Sequence, residues 1–339
     1  MNIYKDYLDT IKLAMSADRK SGFPVTEDLS NFDGKIEKGF SYRDFINKVP
    51  ETNLLPSLDD FSKEVGLQPD FNQRLGLHPD FAHLKQSDQT ENHYIASVFI
   101  DIKGSTHLFR KYDPETVLII TNTIQRAAIH TCLIFKGYIH RLQGDGLFVY
   151  FGGKQINMAT AVLHALQATS VFSYFVKHDL KNLFSEQGID NIYTRIGIDL
   201  GFDDDVVWSK AGLGEISEVT TCSLHTSLAS KMQSSAESNG IVVGDHVKAQ
   251  INADFQDLFK PVCHRTRNEN DRYIFRNIDD GFNYTQYDFD WLKFLKQQEF
   301  IFTDLDGNLG LKRKKQIVYS HQSIDRLIPI AKQSKPYSK

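Results

Sequence analysis

An α+β fold built on a ferredoxin-like βαββαβ core is the architecture this sequence predicts, and three observations predict it. Four short runs rich in β-formers, Tyr94–Ile100, Tyr138–Leu142, Leu147–Phe151 and Ile192–Leu200, punctuate the middle of the chain. Two long apolar stretches with helix-start signals separate the first from the second and the third from the fourth. Gln143-Gly144-Asp145-Gly146 joins the second and third runs as a tight turn. The order β, α, β-hairpin, α, β is the ferredoxin-like pattern.

The elements follow in order. Ile3, Tyr4, Tyr7, Leu8, Ile11 and Met15 share one face at helical spacing and predict an opening amphipathic helix. From Gly22 to about Thr90 the chain is broken by Pro24, Pro50, Pro56, Pro69 and Pro79, which predicts short helices and turns. The polar stretch 87–92 marks a boundary, so residues 1–90 form a mainly helical N-terminal extension. Asp113-Pro114-Glu115 starts the first core helix with a capping Asp, a proline at the first helical position and an acid near the positive dipole end. That helix runs to about Phe135, with Gly137 as its stop. Asn157 caps the second helix, which runs to about Val176. Residues 241–247 and 271–278 read as further strands and close a core domain over 91–279. Residues 280–339 form a C-terminal extension with an aromatic run from Phe282 to Phe294 and a hairpin around Asp306-Gly307-Asn308.

Composition narrows the function classes. In 339 residues, 41% are apolar and 24% charged, which is globular and excludes collagen, coiled coil and wholesale disorder. A formal net charge of -4 argues against nucleic acid as a partner. Cys132, Cys222 and Cys263 are widely spaced and form no metal pattern, as expected of a reducing, cytoplasmic compartment. The first ten residues carry acids and no apolar signal core, and no run supplies the roughly 18 apolar residues of a membrane span. The nearest, Ala159–Val176, is interrupted by His164 and Gln167 and reads as a core helix.

Strand order brings two carboxylates together. The first strand ends at Asp101, and the hairpin turn holds Asp145. In a βαββ unit that turn stands beside the end of the first strand, so residues 44 apart in sequence meet at one sheet edge. Solvated turn acids are one reading of such a pair. The other is a hard-cation site, since Mg²⁺ favours one or two carboxylates together with substrate phosphate oxygens. Lys103-Gly104-Ser105-Thr106 follows the first Asp and offers N–H groups and hydroxyls to a polyphosphate.

At these residues the sequence resembles the class III nucleotidyl cyclases. FIDIKGST (99–106) is similar to their first metal motif, and GYIHRLQGDGLFVYFG (137–152) to their strand, Gly-Asp turn and strand. RIGIDLG (195–201) and residues 226–247 resemble the strand, helix and strand that follow. The resemblance spans residues 93–277 and implies a two-metal reaction. Asp101, Asp145 and the carbonyl of Ile102 would hold two Mg²⁺ or Mn²⁺ ions per site. A nucleoside triphosphate would become a 3′,5′-cyclic monophosphate and pyrophosphate. It also implies a homodimer whose two sites each draw on both chains.

Departures from the family pattern bear on the substrate. The family reads the base four residues before the second metal Asp and seven before a transition-state Asn; here those positions hold Arg141 and Thr220. Arg donates only, so it cannot accept from guanine but can donate to uracil O4 or to cytosine O2 or N3. Thr donates and accepts, and so leaves UTP and CTP open. The arrangement resembles the pyrimidine (cCMP or cUMP) cyclases of bacterial Pycsar antiphage defence, which implies a downstream effector that responds to the cyclic nucleotide. An adenylate cyclase with Arg in place of Lys is the alternative. The family's transition-state Asn and Arg align with Ser227 and Lys231, one helical turn apart. Lys lacks the planar fork of Arg, so a catalytically degenerate nucleotide-binding module is a further alternative. Arg265 or Arg267 lies where the family places a triphosphate-binding Lys, and Tyr94 is a further candidate base contact.

Other signals are weaker. Residues 303–310 lack the glycine and glutamate spacing of an EF-hand, and 211–217 lack the third glycine of a dinucleotide loop. The basic run 311–316 and the acids Asp203, Asp204 and Asp205 read as solvated segments.

Overall fold

A computed structural model describes residues 1–20, 41–49, 51–190, 192–277, 279, 281–305 and 307–312. The core elements, in chain order, are β1 (Ile95–Lys103), α1 (Pro114–Ile134), β2 (Tyr138–Gln143), β3 (Gly146–Phe151), α2 (Met158–Tyr174), β4 (Tyr193–Gly201), β5 (Val207–Leu213), β6 (Ile216–Cys222), α3 (Leu224–Ser235), β7 (Gly240–Gly244), β8 (Phe259–Pro261), β9 (Tyr273–Asn277) and β10 (Phe282–Phe289).

The central sheet has the order β9-β10-β7-β4-β1-β3-β2, with β8 also pairing β10. Its β4-β1-β3-β2 part is antiparallel throughout, which is the expected ferredoxin-like arrangement. The fold is therefore α+β as predicted. β7 runs parallel to β4, and β10 antiparallel to β7. β10 falls within the segment read from sequence as an extension beyond residue 279, so the sheet continues past that point.

The strands alternate, and the two faces of the sheet differ. Ala96, Val98, Ile100 and Ile102 of β1 are buried in the main core with residues of α1 and α2. Ser97, Phe99 and Asp101 face the other way. There α3 and the β5–β6 hairpin cover the sheet, with Trp208 and Val219 packed on Ile95, Phe148 and Tyr150. The opening helix, Lys5–Lys20, forms as predicted, and together with the 3₁₀ turn before it joins the same main core through Ile3, Tyr4, Tyr7, Ile11 and Met15. It lies on α1, where the Tyr4 hydroxyl meets Thr131 at 2.6 Å and Tyr7 meets His130 at 2.5 Å.

The caps follow the sequence with one difference. Asp113 accepts from the backbone of Glu115 and Thr116, and Asn157 from that of Thr160. At the end of α1, however, Lys136 takes the left-handed conformation, with φ 66°. Gly137 serves packing instead: a Cβ there would stand 2.8 Å from the Phe151 ring. Two helices, Pro114–Ile134 and Met158–Glu186, are by composition long and apolar enough to cross a membrane, against the expectation that no run would be. Each buries 72% of its most apolar window inside the molecule, as core helices do. The hairpin near residue 307 forms by pairing of Ile301–Thr303 with Leu309–Leu311. Asp306, and the basic run from residue 313 onward, lie outside the described residues.

Candidate active site

The two predicted carboxylates share one edge of the sheet. Asp101 lies near the end of β1 opposite Arg195 of β4, whose guanidinium donates to its Oδ2 at 2.5 Å. The β1–β3 register ends at Ile100 with Leu147, so the Gly144–Asp145 turn continues the ladder beside Asp101. Gly146 makes that approach possible. A Cβ there would lie 2.8 Å from the Ile100 carbonyl oxygen and 3.8 Å from the Asp101 Cα. Gln125 of α1 braces the turn, donating to the carbonyls of Gly144 at 2.9 Å and Gly146 at 3.4 Å.

The donor set suits a divalent cation. Asp145 Oδ2 is buried with no hydrogen-bond partner among the described residues. A buried carboxylate oxygen left so is costly unless a ligand completes it. With a second carboxylate beside it, the site fits the hard oxygen chemistry of Mg²⁺ or Mn²⁺. Ile102 buries its side chain and continues β1 directly from Asp101. Lys103 closes the strand. Gly104, at φ 95°, turns the chain into a 3₁₀ helix over Ser105–Arg110, and Lys103 and Thr106 are exposed there.

The predicted base readers gather on the β5–β6 hairpin. A bulge between Ile139 and Arg141 turns both His140 and Arg141 toward that hairpin. Arg141 Nε donates to Glu218 Oε2 at 2.6 Å, and His140 Nε2 meets the Thr220 hydroxyl at 3.2 Å. Burial, aided by the Arg141 charge, pushes His140 down to about 3, so the ring is neutral. His140, Arg141, Leu142, Gly212, Ser217 and Glu218 line a cavity of about 570 Å³. Glu218 was missed from sequence. Its signal was strand alternation, since 218 and 220 share a face.

Ser227 and Lys231 both lie on the exposed side of α3. Gly197 lets this helix rest directly on β4: a Cβ there would fall 2.0 Å from the Ala229 carbonyl oxygen and 2.3 Å from the Gln233 nitrogen. Thr226 Oγ1 meets Ser97 at 2.9 Å, and the Ser227 hydroxyl donates to the Ser223 carbonyl at 3.2 Å. Ser97 is four strand residues before Asp101, or roughly 13 Å. One chain therefore does not bring Ser227 to its own carboxylates. Arg265 and Arg267 are exposed in the loop between β8 and β9, which His264 ties to the end of α3 through the Ser235 carbonyl at 3.0 Å.

Two expectations differ from what the structure shows. Tyr94 is not brought to the other candidate residues: it is buried at the far end of β1 from Asp101, and its hydroxyl donates to the carbonyls of Ile156 and Gly153. The acids 203–205 are not simply solvated, because Asp203 accepts from the Tyr94 backbone at 2.8 Å and Asp205 from that of Phe202 at 3.2 Å.

No family model matches the chain. It is 36% identical over 238 residues to a cytidylate cyclase of Staphylococcus aureus, covering 69% of this chain and 53% of that protein. It is 29% identical over 248 residues to a cytidylate cyclase of Escherichia coli, covering 71% and 52%. The chain thus spans about half the length of the curated relatives it matches. Among solved structures, the adenylyl cyclase CyaB from P. aeruginosa aligns at 18% identity and a TM-score of 0.48, over 59% of this chain and 95% of that one. The guanylyl cyclase Cya2 aligns at 16% and 0.46, over 59% and 92%. Over the shared stretch the chain is similar to cytidylate cyclases, in keeping with the resemblance its motifs carry to class III nucleotidyl cyclases.

Proposed function

We propose that this protein is a nucleotidyl cyclase that converts CTP to 3′,5′-cyclic CMP and pyrophosphate. The observation that carries the reading is the convergence of Asp101 with Asp145, whose buried Oδ2 lacks a partner among the described residues. These two carboxylates and the Ile102 carbonyl would hold Mg²⁺ or Mn²⁺, two ions per site. Bound there, the metal supplies Lewis-acid chemistry, lowering the pKa of the ribose 3′-hydroxyl and neutralising charge on the triphosphate.

The remaining roles fall to the chain itself. Arg195 holds Asp101 in place. Gly104, Ser105 and Thr106, with Lys103 and Arg265 or Arg267, bind phosphates by N–H groups and charge. Arg141 and Glu218 suit cytosine together: the guanidinium donates to O2 or N3, and the carboxylate accepts from the N4 amino group. Uracil would turn its O4 toward the carboxylate instead, an acceptor against an acceptor. Thr220 supplements this pair. Ser227 hydrogen-bonds the ribose, and Lys231 offsets phosphate charge in the transition state.

The site is completed by a second copy of the chain. Ser227 and Lys231 lie on an exposed helix face, Ser227 well away from its own carboxylates, and the hairpin tip exposes Leu213 at 84% and Ile216 at 88%. A homodimer places one chain's α3 and base readers over the other's carboxylates. The sequence resemblance to the pyrimidine cyclases of antiphage defence supports a signalling role through a cyclic-nucleotide-responsive effector. Three free thiols support a cytoplasmic setting. An acidic chain gives no support for a nucleic-acid partner.

The test is turnover of ATP, GTP, CTP and UTP with Mn²⁺, with products identified by mass spectrometry. Cyclic CMP as the main product is expected. Cyclic UMP would reassign the Arg141–Glu218 pair, and cyclic AMP would discard the pyrimidine reading. Nucleotide-dependent stabilisation without pyrophosphate release would indicate a binding module.

A further inference from the structure

Away from the carboxylate edge, a second set of metal-competent side chains lies at the other end of β4. Among the described residues, Asp205, His225 and His246 are the one His/Cys/Asp/Glu trio whose ligand atoms all lie within 4.8 Å of one another. They come from three segments: the turn after β4, the first turn of α3 and the short helix Asp245–Ala249. Asp199, which supports the trio, lies four residues along β4 from Arg195, roughly 13 Å.

The hydrogen bonds around the two rings are those of poised metal ligands. His225 Nδ1 bonds Asp199 Oδ2 at 2.9 Å. Asp199 is itself fully buried, and its Oδ1 accepts from the Tyr284 hydroxyl at 2.7 Å and the Leu200 nitrogen at 3.0 Å. His246 Nδ1 bonds the Leu200 carbonyl at 2.9 Å, and since a carbonyl only accepts, that nitrogen carries the proton. In each ring the protein occupies Nδ1 and leaves the Nε2 lone pair free. A carboxylate or carbonyl behind the distal ring nitrogen is the usual support of a metal-bound histidine. Asp205 Oδ2 stands 3.6 Å from His225 Nε2, whereas its 4.0 Å approach to His246 is to the protonated Nδ1, so that ring must turn its Nε2 toward an ion. The first distance is long for a hydrogen bond. It is close to the spacing of about 3.4 Å between two ligands of one tetrahedral ion with bonds near 2.1 Å. Asp205 is partly open to solvent, which gives an ion a way in.

We propose that Asp205, His225 and His246 form a binding site for a borderline transition-metal ion of the Zn²⁺ or Co²⁺ type, separate from the two carboxylates at Asp101 and Asp145. Two imidazoles and one carboxylate select such ions over Mg²⁺, which prefers oxygen alone. The ion fastens the turn after β4 to the start of α3 and to the helix after β7. Ser227 lies two residues beyond His225, so the fastening sets the start of the helix that carries it.

The test uses the full chain freed of metal by chelation and titrated with Co²⁺. One equivalent showing the visible absorption of a tetrahedral or five-coordinate ion is expected. It should persist in Asp145→Ala and disappear in Asp205→Asn and in His246→Gln. His225→Ala strips a buried partner from Asp199, so the other two variants carry the test if that one fails to fold. Zn²⁺ should raise the melting temperature of the unsubstituted chain and not that of Asp205→Asn. The proposal is overturned if no Co²⁺ binds, if binding survives both Asp205→Asn and His246→Gln, or if Asp145→Ala removes it.

Discussion

Arg195 and Asp101 face each other across β4 and β1, guanidinium to carboxylate at 2.5 Å. The pairing makes Arg195 a positioning residue for one of the two carboxylates expected to hold metal. Arg195→Met should raise the Mn²⁺ concentration needed for half-maximal activity by 10- to 100-fold. It should change the KM for CTP much less, and Arg195→Lys should recover part of the loss. Initial rates across a Mn²⁺ series check this; equal changes in both constants would show a general structural role.

The turn acid should behave in the opposite way from a structural residue. Asp145 Oδ2 has no hydrogen bond to lose among the described residues, so Asp145→Ala should abolish cyclic nucleotide formation while leaving the melting temperature within a few degrees. Turnover and thermal unfolding of the same preparation decide it.

Base reading should divide between donor and acceptor. Arg141→Ala should lower CTP turnover far more than stability, because the side chain is 44% exposed and its partner Glu218 is itself reached by solvent. Glu218→Gln offers an N–H where only an acceptor stood. The ratio of kcat/KM for CTP to that for UTP should fall at least tenfold in that variant.

Gly197 tests the seat of α3. With the added carbon 2.0 Å from a helix carbonyl, Gly197→Ala must lift the helix, at a cost of about 1–3 kcal/mol. Because Ser227 and Lys231 ride on that helix, activity should fall further than the folded fraction does. Urea unfolding beside turnover separates the two.

Acid should weaken the fold through buried imidazoles. Burial holds His78 and His130 down to about 4 and His140 to about 3. The unfolded chain takes up a proton at each ring below about pH 6.5, while the folded chain does not until near pH 4 or lower. Stability is therefore full above pH 6.5 and declines below it, by about 2 kcal/mol per ring at pH 5. Urea midpoints at pH 7 and pH 5 measure this, and His140→Gln should flatten the slope.

Much of the arrangement was legible in the sequence because strand order alone brings residues 101 and 145 together. What escaped depends on register or on distant segments. Arg195 lay inside a quoted motif, but its role needed the pairing of β4 with β1. Arg141 was read alone, since nothing local announces Glu218 from a hairpin nearly eighty residues on. The His and Asp trio is spread over residues 205 to 246 and has no spacing to recognise. Aromatic character does not say which end of a strand a residue occupies, and Tyr94 stands at the end of β1 away from Asp101. The division of the chain at residues 90 and 279 remains a proposal, and β10 argues for moving the second boundary beyond residue 289.

Trp208, near the base of the β5–β6 hairpin, stacks on Phe81 at 4.0 Å and 15°, and its indole nitrogen donates to the His93 carbonyl. The hairpin is thus a cantilever, clamped at its root and bare at its tip. Leu213 and Ile216 are held out at a set height before anything meets them. An arriving surface need not order them, so little conformational entropy is lost on contact. If the tip meets a second copy as proposed, loosening the clamp, as with Trp208→Ala, should weaken that association without altering the tip residues themselves.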